Sequence, residues 1–187
     1  MVHGTNRVVC MVIVLTAFAS IAGAGEAEER FDKGVLLLDS RRYPEAIAEF
    51  QRVTALQRTN AEAWSSLGRA SLRGGRYQDG LNAFDEAIHL QPDRPAYWNG
   101  RGDSLVLLGR TDEALKVYER TIEMDPKQDA AWYGKARCHA LKAEKTDALA
   151  CLARAIDLNS QWKNRAYHDR TFWSLKNDKD FQQLVEL

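Results

Sequence analysis

The chain has 187 residues, and equal numbers of acidic and basic residues give it no formal net charge. This balance, with no stripe of basic and aromatic residues, argues against a nucleic acid as partner. Hydrophobic residues make up 45% of the chain and there are four prolines, so the composition allows one extensively helical domain with a large core.

The N-terminal segment, 1–24, has the pattern of an export signal. Arg7 precedes an apolar stretch, residues 8–24, and Ala22-Gly23-Ala24 at its end is typical of a signal-peptide cleavage site. The stretch is short for a spanning helix, which needs about 20 apolar residues. We expect cleavage after about Ala24, with an uncleaved N-terminal anchor or a buried first helix as alternatives. In the first two cases the rest of the chain is secreted, periplasmic or on the outside of the cell envelope, and only an uncleaved 8–24 segment would contact the membrane.

A fixed period runs through the rest of the chain. Trp64, Trp98 and Trp132 are equally spaced, and further positions keep the same step. These positions hold small residues (Gly34, Gly68, Gly102, Ala136, and Ala46, Gly80, Ala114, Ala148), mostly aromatic residues (Phe50, Phe84, Tyr118, Leu152) and prolines (Pro92, Pro126). The step divides the chain into four units without insertion, 27–60, 61–94, 95–128 and 129–162.

Each unit predicts two helices. In the second unit, Trp64 and Leu67 begin a helical apolar pattern, which Gly74-Gly75 ends because glycine readily takes the left-handed conformation. A second helical pattern contains Phe84, and Pro92 blocks its continuation. One such pair cannot bury its apolar face alone, whereas stacked pairs can. We therefore expect an all-α, right-handed superhelical α-solenoid of helix-turn-helix repeats.

This pattern resembles the tetratricopeptide repeat family, whose 34-residue motif places Trp, Leu-Gly, an aromatic residue, Ala, Phe, Ala and Pro at set positions. The second unit supplies Trp64, Leu67, Gly68, Tyr77, Gly80, Phe84, Ala87 and Pro92. The third supplies Trp98, Gly102, Ala114, Tyr118 and Pro126. The resemblance covers residues 27–162. The first and fourth units depart from the motif, for example at Arg30, Lys145 and Ser160, as terminal repeats tend to do.

Residues 163–187 follow without the period. Asp178 can cap a final helix that carries Phe181 and Leu184 at helical spacing. The segment resembles the C-terminal capping helices that follow many prokaryotic tetratricopeptide arrays, and we expect it to cover the apolar end of the fourth repeat. A separate partner site at Trp162 or Trp173 is the alternative.

Two cysteines lie outside the predicted export signal, Cys138 and Cys151, and both fall on predicted helices of one repeat. An exported chain permits a disulfide between them if the geometry allows it. The alternative is that they are two small apolar core residues. The chain has no Cys-x-x-Cys, so zinc or redox chemistry has no supporting spacing.

Catalytic patterns are missing from the sequence. His89, His139 and His168 do not have metal-ligand spacing, and there is no nucleophile-elbow or phosphate-loop motif. We therefore expect no enzymatic activity, no cofactor and no metal.

The resemblance to the family implies a binding surface. In the family, positions 2, 5, 9, 12 and 13 of each repeat face a concave groove. Carried over to this sequence, the expected peptide-binding residues are Phe31, Val35, Arg69, Leu72, Arg73, Asn99, Asp103, Tyr133 and Arg137. The arginines can hold carboxylates bidentately, Asn99 can hydrogen-bond a backbone amide, and Phe31, Leu72 and Tyr133 offer apolar contact. The alternative is a solvated face without a ligand.

The leading functional hypothesis is an exported adaptor that binds a protein or peptide in this groove. A self-associating scaffold subunit, and hence a homo-oligomer, is the second hypothesis, and an enzyme with an unrecognised site is the third. Co-chaperone members of the family use a carboxylate clamp with Lys and Asn at positions 5 and 9 of their first repeat. The first unit has Phe31 and Val35 there, so that clamp is not expected.

Overall fold

The computed structural model describes residues 24–186, so the predicted export signal lies outside the described residues except for Ala24. Helices dominate this range and it contains no strand. They are α1 (24–39), α2 (Tyr43–Leu56), α3 (Ala61–Arg73), α4 (Tyr77–Leu90), α5 (Pro95–Leu107), α6 (Thr111–Met124), α7 (Asp129–Leu141), α8 (Lys145–Leu158), α9 (Gln161–His168), a 3₁₀ helix (Arg170–Leu175) and α10 (Lys179–Val185). Between residues 24 and 186, none of the helices combines the length and the apolar character that a membrane crossing requires.

The helices stack in chain order. From α2 to α8, each helix packs against the one before it and the one after it. The first helices of neighbouring pairs also touch, α3 with α5 and α5 with α7, so they form a continuous layer. The molecule is an all-α solenoid, which confirms the predicted fold class.

Aromatic side chains in the second helices are enclosed between small residues of two adjacent pairs. A Cβ added at Gly68 or Gly100 would lie 2.8 or 2.3 Å from the ring of Phe84. A Cβ added at Gly134 would lie 2.3 Å from the ring of Tyr118. Both aromatic residues are fully buried. The small residues of the period therefore mark places where the backbone of one helix touches an aromatic ring of another.

The three tryptophans of the period occupy equivalent environments. Each indole Nε1 of Trp64, Trp98 and Trp132 donates a hydrogen bond to a backbone carbonyl six residues earlier. The acceptors are Arg58, Pro92 and Pro126, at 2.9, 2.8 and 3.0 Å. Each tryptophan thus ties the beginning of a first helix to the turn that precedes it, and the period in the sequence is also a period in hydrogen bonding.

The turn inside each pair contains one left-handed residue. In the two inner pairs this residue is glycine, Gly75 at φ +77° and Gly109 at φ +75°. The equivalent residues of the outer pairs are Arg41 and Ala143, both at φ +60°. A side chain in this conformation costs about 1–2 kcal/mol. The outer pairs keep the turn geometry at that cost because the packing of two complete helices determines it.

The C-terminal segment covers the end of the fourth pair. Phe172, Phe181 and Val185 are buried in one cluster with Leu152 of α8. The side chain of Asp178 accepts hydrogen bonds from two backbone amides in the first turn of α10, which caps this helix. The apolar end of the array is therefore covered by this segment.

Cys138 and Cys151 are free thiols, and both are buried. Cys138 packs in the cluster around α5 and α6, whereas Cys151 belongs to the C-terminal cluster. Burial raises the pKa of the Cys138 thiol to about 12, so the thiol stays protonated at neutral pH. The two residues are small apolar members of the core.

Candidate functional site

The first helices of the pairs form a wall with an open cleft of about 800 Å³. Six of the predicted groove residues line it, namely Arg69, Leu72, Arg73, Asn99, Asp103 and Arg137. Val35 lines an adjoining hollow of about 290 Å³ that shares Arg69 and Arg73 with the cleft. We call the part of the wall on α1 and α3 the N-terminal half of the cleft, and the part on α5 and α7 the C-terminal half.

The N-terminal half carries two arginines without an acidic partner. Arg69 and Arg73 are one turn apart on α3, both are exposed, and neither forms an ion pair with any residue in 24–186. The one side-chain hydrogen bond of Arg69 in that range is a long one, 3.5 Å to Ser66 Oγ. Residues four apart on a helix lie on one face, so the two guanidinium groups are neighbours.

Phe31 and Leu72 provide the apolar part of this half. Leu72 is half-buried and lines the cleft. The ring of Phe31 lies edge-on to the core ring of Phe50, with 5.6 Å between the centroids, and lines a separate depression near the start of α1. The predicted groove residue Phe31 therefore lies outside the 800 Å³ cleft.

The arginine of the C-terminal half is paired with two carboxylates. Arg137 Nη1 lies 3.2 Å from Asp103 Oδ1, and Arg137 Nε lies 3.3 Å from Asp169 Oδ2. The Nε–H is not aimed at that oxygen, so the second contact is an ion pair without a good hydrogen bond. Only 16% of the Arg137 side chain is exposed. Burial alone would lower the pKa of Arg137, but the facing carboxylates raise it overall, so the group stays charged.

Asp169 comes from the C-terminal segment and completes this cluster. Its carboxylate accepts hydrogen bonds from the backbone amide and hydroxyl of Thr171, at 2.9 and 2.8 Å, and from Tyr133 Oη at 2.8 Å. Burial would raise the pKa of Asp169, but these donors and the charge of Arg137 lower it overall. The chain thus places a carboxylate of its own at the α7 end of the cleft.

Tyr133 is covered by the same segment together with Trp162, the last residue of the fourth unit. Its ring stacks on Trp162, with 4.2 Å between centroids and 19° between planes, and it meets Phe172 edge-on. Only 3% of Tyr133 is exposed. The family position predicts an apolar contact for a ligand here, but the structure puts Tyr133 beneath the chain's own C-terminal residues. Asp169 and Trp162 were missed as neighbours of the cleft because they follow no period that would indicate where they pack.

Two polar groups of α5 lie in the C-terminal half, on the side that faces α3. Asp103 Oδ1 also accepts a hydrogen bond, 2.9 Å long, from the hydroxyl of the buried Tyr118. The side-chain oxygen of Asn99 is buried and has no hydrogen-bond donor among residues 24–186. An unsatisfied buried acceptor costs about 1–3 kcal/mol. Asn99 thus lines the cleft with an amide whose oxygen has no donor among the described residues.

One group of side chains in the described part of the chain has the spacing of a metal site. Ligand atoms of His139, Glu144 and Asp147 lie within 4.8 Å of one another. Glu144 already accepts a contact of 2.7 Å from His139 Nδ1 and another of 3.3 Å from Lys142 Nζ. Because a lysine ammonium shares this carboxylate, the group is better described as a surface ion-pair cluster at the turn between α7 and α8.

A stack of helix pairs with a continuous concave wall defines the class of α-solenoid proteins. The family model of the tetratricopeptide repeat matches residues 31–95, 67–128 and 99–161. These ranges together span more than half of the chain, and the protein belongs to the tetratricopeptide repeat family. This confirms the resemblance that the periodic motif indicated.

Solved structures of the same fold resemble the chain at low sequence identity. A thermophilic tetratricopeptide protein of Thermus thermophilus, TTC0263, has a TM-score of 0.73 at 19% identity, covering 84% of this chain and 87% of its own. YrrB, described as having an unusual peptide-binding site, has a TM-score of 0.59 at 18% identity, with coverages of 83% and 80%. The second such domain of human RPAP3, in complex with an HSP70 peptide, has a TM-score of 0.60 at 22% identity, with coverages of 62% and 97%. Among curated proteins, none matches the sequence significantly.

Proposed function

We propose that this protein is an adaptor that binds an acidic polypeptide segment in its concave cleft. The observation that carries the proposal is the pair of exposed arginines, Arg69 and Arg73, which face the cleft and have no carboxylate partner in residues 24–186. Guanidinium groups bind carboxylates through two parallel hydrogen bonds, which adds direction to the attraction of charge.

The rest of the cleft favours a polypeptide over a small anion. Asn99 lines the same cleft, and its side-chain amide can hydrogen-bond the backbone of a ligand. Leu72 and Leu107 line the same cleft, and 42% of Leu107 is exposed, so apolar side chains of a ligand find contact there. Carboxylates, backbone amides and apolar side chains occur together in an acidic peptide.

Two of the structural neighbours support a peptide as the ligand class. The RPAP3 domain was solved in complex with a peptide, and YrrB is described by its peptide-binding site. Both share the fold of this chain, with TM-scores of 0.60 and 0.59.

We also propose that the adaptor acts outside the cytoplasm. The support is the sequence of the N-terminal segment, 1–24, in which Arg7 precedes an apolar stretch and Ala22-Gly23-Ala24 ends it. Mass spectrometry of the N-terminus in the native cell tests this. A mature chain that begins near Gly25 is expected for a cleaved signal, and an intact N-terminus in the cytosolic fraction would contradict export.

Binding of the cleft can be tested with a fluorescein-labelled synthetic peptide of alternating glutamate and leucine. We expect it to bind the full chain, and the same peptide with glutamine in place of glutamate to bind at least about tenfold more weakly. The double variant Arg69→Glu/Arg73→Glu should lose about tenfold or more in affinity, because two attractive charges become repulsive.

The matched control is Lys116→Glu/Arg154→Glu, which makes the same change in net charge at exposed residues of α6 and α8 outside the cleft. This variant should bind like the unmodified protein. Equal affinities of both double variants would show that the cleft arginines do not hold the peptide.

A further inference from the structure

No stripe of basic and aromatic residues was expected from the sequence, and that expectation is wrong for the C-terminal segment, where a row of such side chains follows the outer face. The 3₁₀ helix has three residues per turn, so residues three apart lie on one face. Arg170 and Trp173 share that face, and Lys176 just after the helix continues it. Tyr167, three residues before Arg170, ends the row at the last turn of α9. We call these four residues the C-terminal stripe.

The aromatic residues of the stripe are unusually open to solvent. Trp173 is 58% exposed and Tyr167 is 45% exposed, whereas Phe172 in the same segment is 1% exposed. Large aromatic rings are mostly buried in folded proteins, because each contributes a large apolar area. Since the buried face of the 3₁₀ helix is already occupied by Phe172 and Leu175, Trp173 does not support the core.

The basic residues of the stripe lie over the rings. The guanidinium carbon of Arg170 is 5.3 Å from the centroid of the Trp173 ring, and Lys176 Nζ is 5.3 Å from the centroid of the Tyr167 ring. Neither cation forms an ion pair with a residue between 24 and 186, in contrast to Arg110, which holds Glu113 at 2.7 Å. Both cations are held in place and remain available to an external anion.

The surroundings add positive charge. Residues 161–176 contain four Lys and Arg residues and a single carboxylate, Asp169. Asp169 faces inward to Arg137 and Tyr133, so it does not neutralise the stripe.

We propose that the C-terminal stripe is a second docking surface, which binds an acidic segment of a partner protein through Arg170 and Lys176 with Trp173 and Tyr167 as its apolar platform. Charge complementarity identifies the occupant, because two unpaired cations on one face attract carboxylates. A lipid headgroup region is the competing occupant, because exposed Trp and Tyr beside cations also occur at membrane interfaces, and the test below separates the two. The surface lies on the outer side of the segment, and it does not depend on the ligand proposed for the cleft.

The test uses the full chain with ¹⁵N-labelled tryptophan side chains. The five tryptophans give five indole N–H signals in an NMR spectrum, and loss of one signal in Trp173→Phe identifies Trp173. The probe is the peptide of alternating glutamate and leucine, with the glutamine peptide as control. We expect the glutamate peptide to shift the Trp173 signal. In the double variant Arg170→Glu/Lys176→Glu, the affinity measured from this shift should fall by about tenfold.

The cleft variant Arg69→Glu/Arg73→Glu separates the two sites. The Trp173 titration should stay unchanged in it, whether or not the cleft binds the peptide. The proposal would be overturned if the Trp173 signal did not shift with the glutamate peptide, or if it shifted equally with the glutamine peptide. Vesicles of phosphatidylglycerol that shift the Trp173 signal when the peptide does not would also overturn it, in favour of a membrane contact.

Discussion

The two halves of the cleft use the same residue type at the same repeat position in different ways. Arg69 and Arg137 both occupy position 9, in the second and fourth repeats. Arg69 is exposed and has no carboxylate partner among residues 24–186, whereas Arg137 is 16% exposed and lies between Asp103 and Asp169. The repeat therefore determines where a side chain points, and the neighbouring segments determine whether a ligand can use it.

Asp103 occupies the same position in the third repeat, one period from each arginine. It pairs with Arg137, and the hydroxyl of Tyr118 donates to the same carboxylate oxygen. Asp169 then adds a second carboxylate beside Arg137. The C-terminal segment thus completes an internal charge cluster at one end of the cleft and leaves Arg69 at the other end without a partner.

Removal of the C-terminal segment should cause the largest loss of stability, because this segment covers the C-terminal half of the cleft and the end of the fourth repeat. A chain that stops after Trp162 loses the burial of Phe172, Leu175, Phe181 and Val185. At about 1.5–3 kcal/mol for each apolar side chain, we expect the free energy of unfolding to fall by about 5 kcal/mol or more. Thermal unfolding followed by circular dichroism should show a much lower melting temperature or aggregation.

The control for this truncation is Trp173→Ala in the full chain, which removes an exposed side chain of the same segment. Its stability should change by no more than about 0.5 kcal/mol. An unchanged melting temperature of the truncated chain would mean that the segment does not stabilise the fourth repeat.

Arg137, which is ion-paired, and Arg69, which is not, give a matched comparison, and its expected effect on stability is smaller than that of the truncation. Arg137→Met keeps an aliphatic stem but leaves Asp103 and Asp169 without their counter-charge, and we expect a loss of about 2 kcal/mol. Arg69→Met breaks no ion pair in the described residues, so its effect should stay within about 0.5 kcal/mol. Urea unfolding of both variants measures the difference. Equal losses would contradict the contrast between the halves.

The smallest expected effect is a dependence of the free energy of unfolding on pH, caused by Asp169 at the C-terminal half of the cleft. Because the pKa of Asp169 is lowered in the folded protein, its ionised form is favoured by folding. This stabilisation is complete above the unfolded-state pKa of about 3.9 and is lost as the pH falls through the folded value. Asp169→Asn should therefore cost about 1 kcal/mol at neutral pH, and the difference from the unmodified protein should shrink below about pH 4. A difference that stays constant down to about pH 2 would argue against an ionised Asp169.

Part of the site was predictable from the same repeat period that predicted the fold. Arg69, Leu72 and Asn99 line the cleft because the period places them on the inner face of first helices. Tyr133 has an equivalent position, yet Trp162 and Phe172 cover it. No periodic signal connects those residues to α7. That Arg69 and its neighbours bind a ligand stays a prediction.

The turns show a second limit. Glycine at 75 and 109 indicated left-handed turns in the inner pairs, but Arg41 and Ala143 carry no such signal and still adopt φ +60°. The helices on both sides pack over many residues, and that packing energy exceeds the about 1–2 kcal/mol that the conformation costs. The preference of glycine for the left-handed conformation therefore identifies the two inner turns. It does not identify the outer turns, where packing of the flanking helices imposes the same conformation on other residues.

The sequence by itself determined the helix pairs and their stacking, because tryptophans, small residues and aromatic residues at a fixed step meet the same neighbours in every repeat. Only the tertiary structure decided which parts of the inner wall stay open. The openness of the wall depends on Asp169, which reaches back over the fourth repeat from the segment without a period, and on Trp162, the last residue of the fourth unit, which stacks on Tyr133. Contacts within the repeat are local and recur, so they leave a pattern in the chain, whereas a single contact between distant segments leaves none.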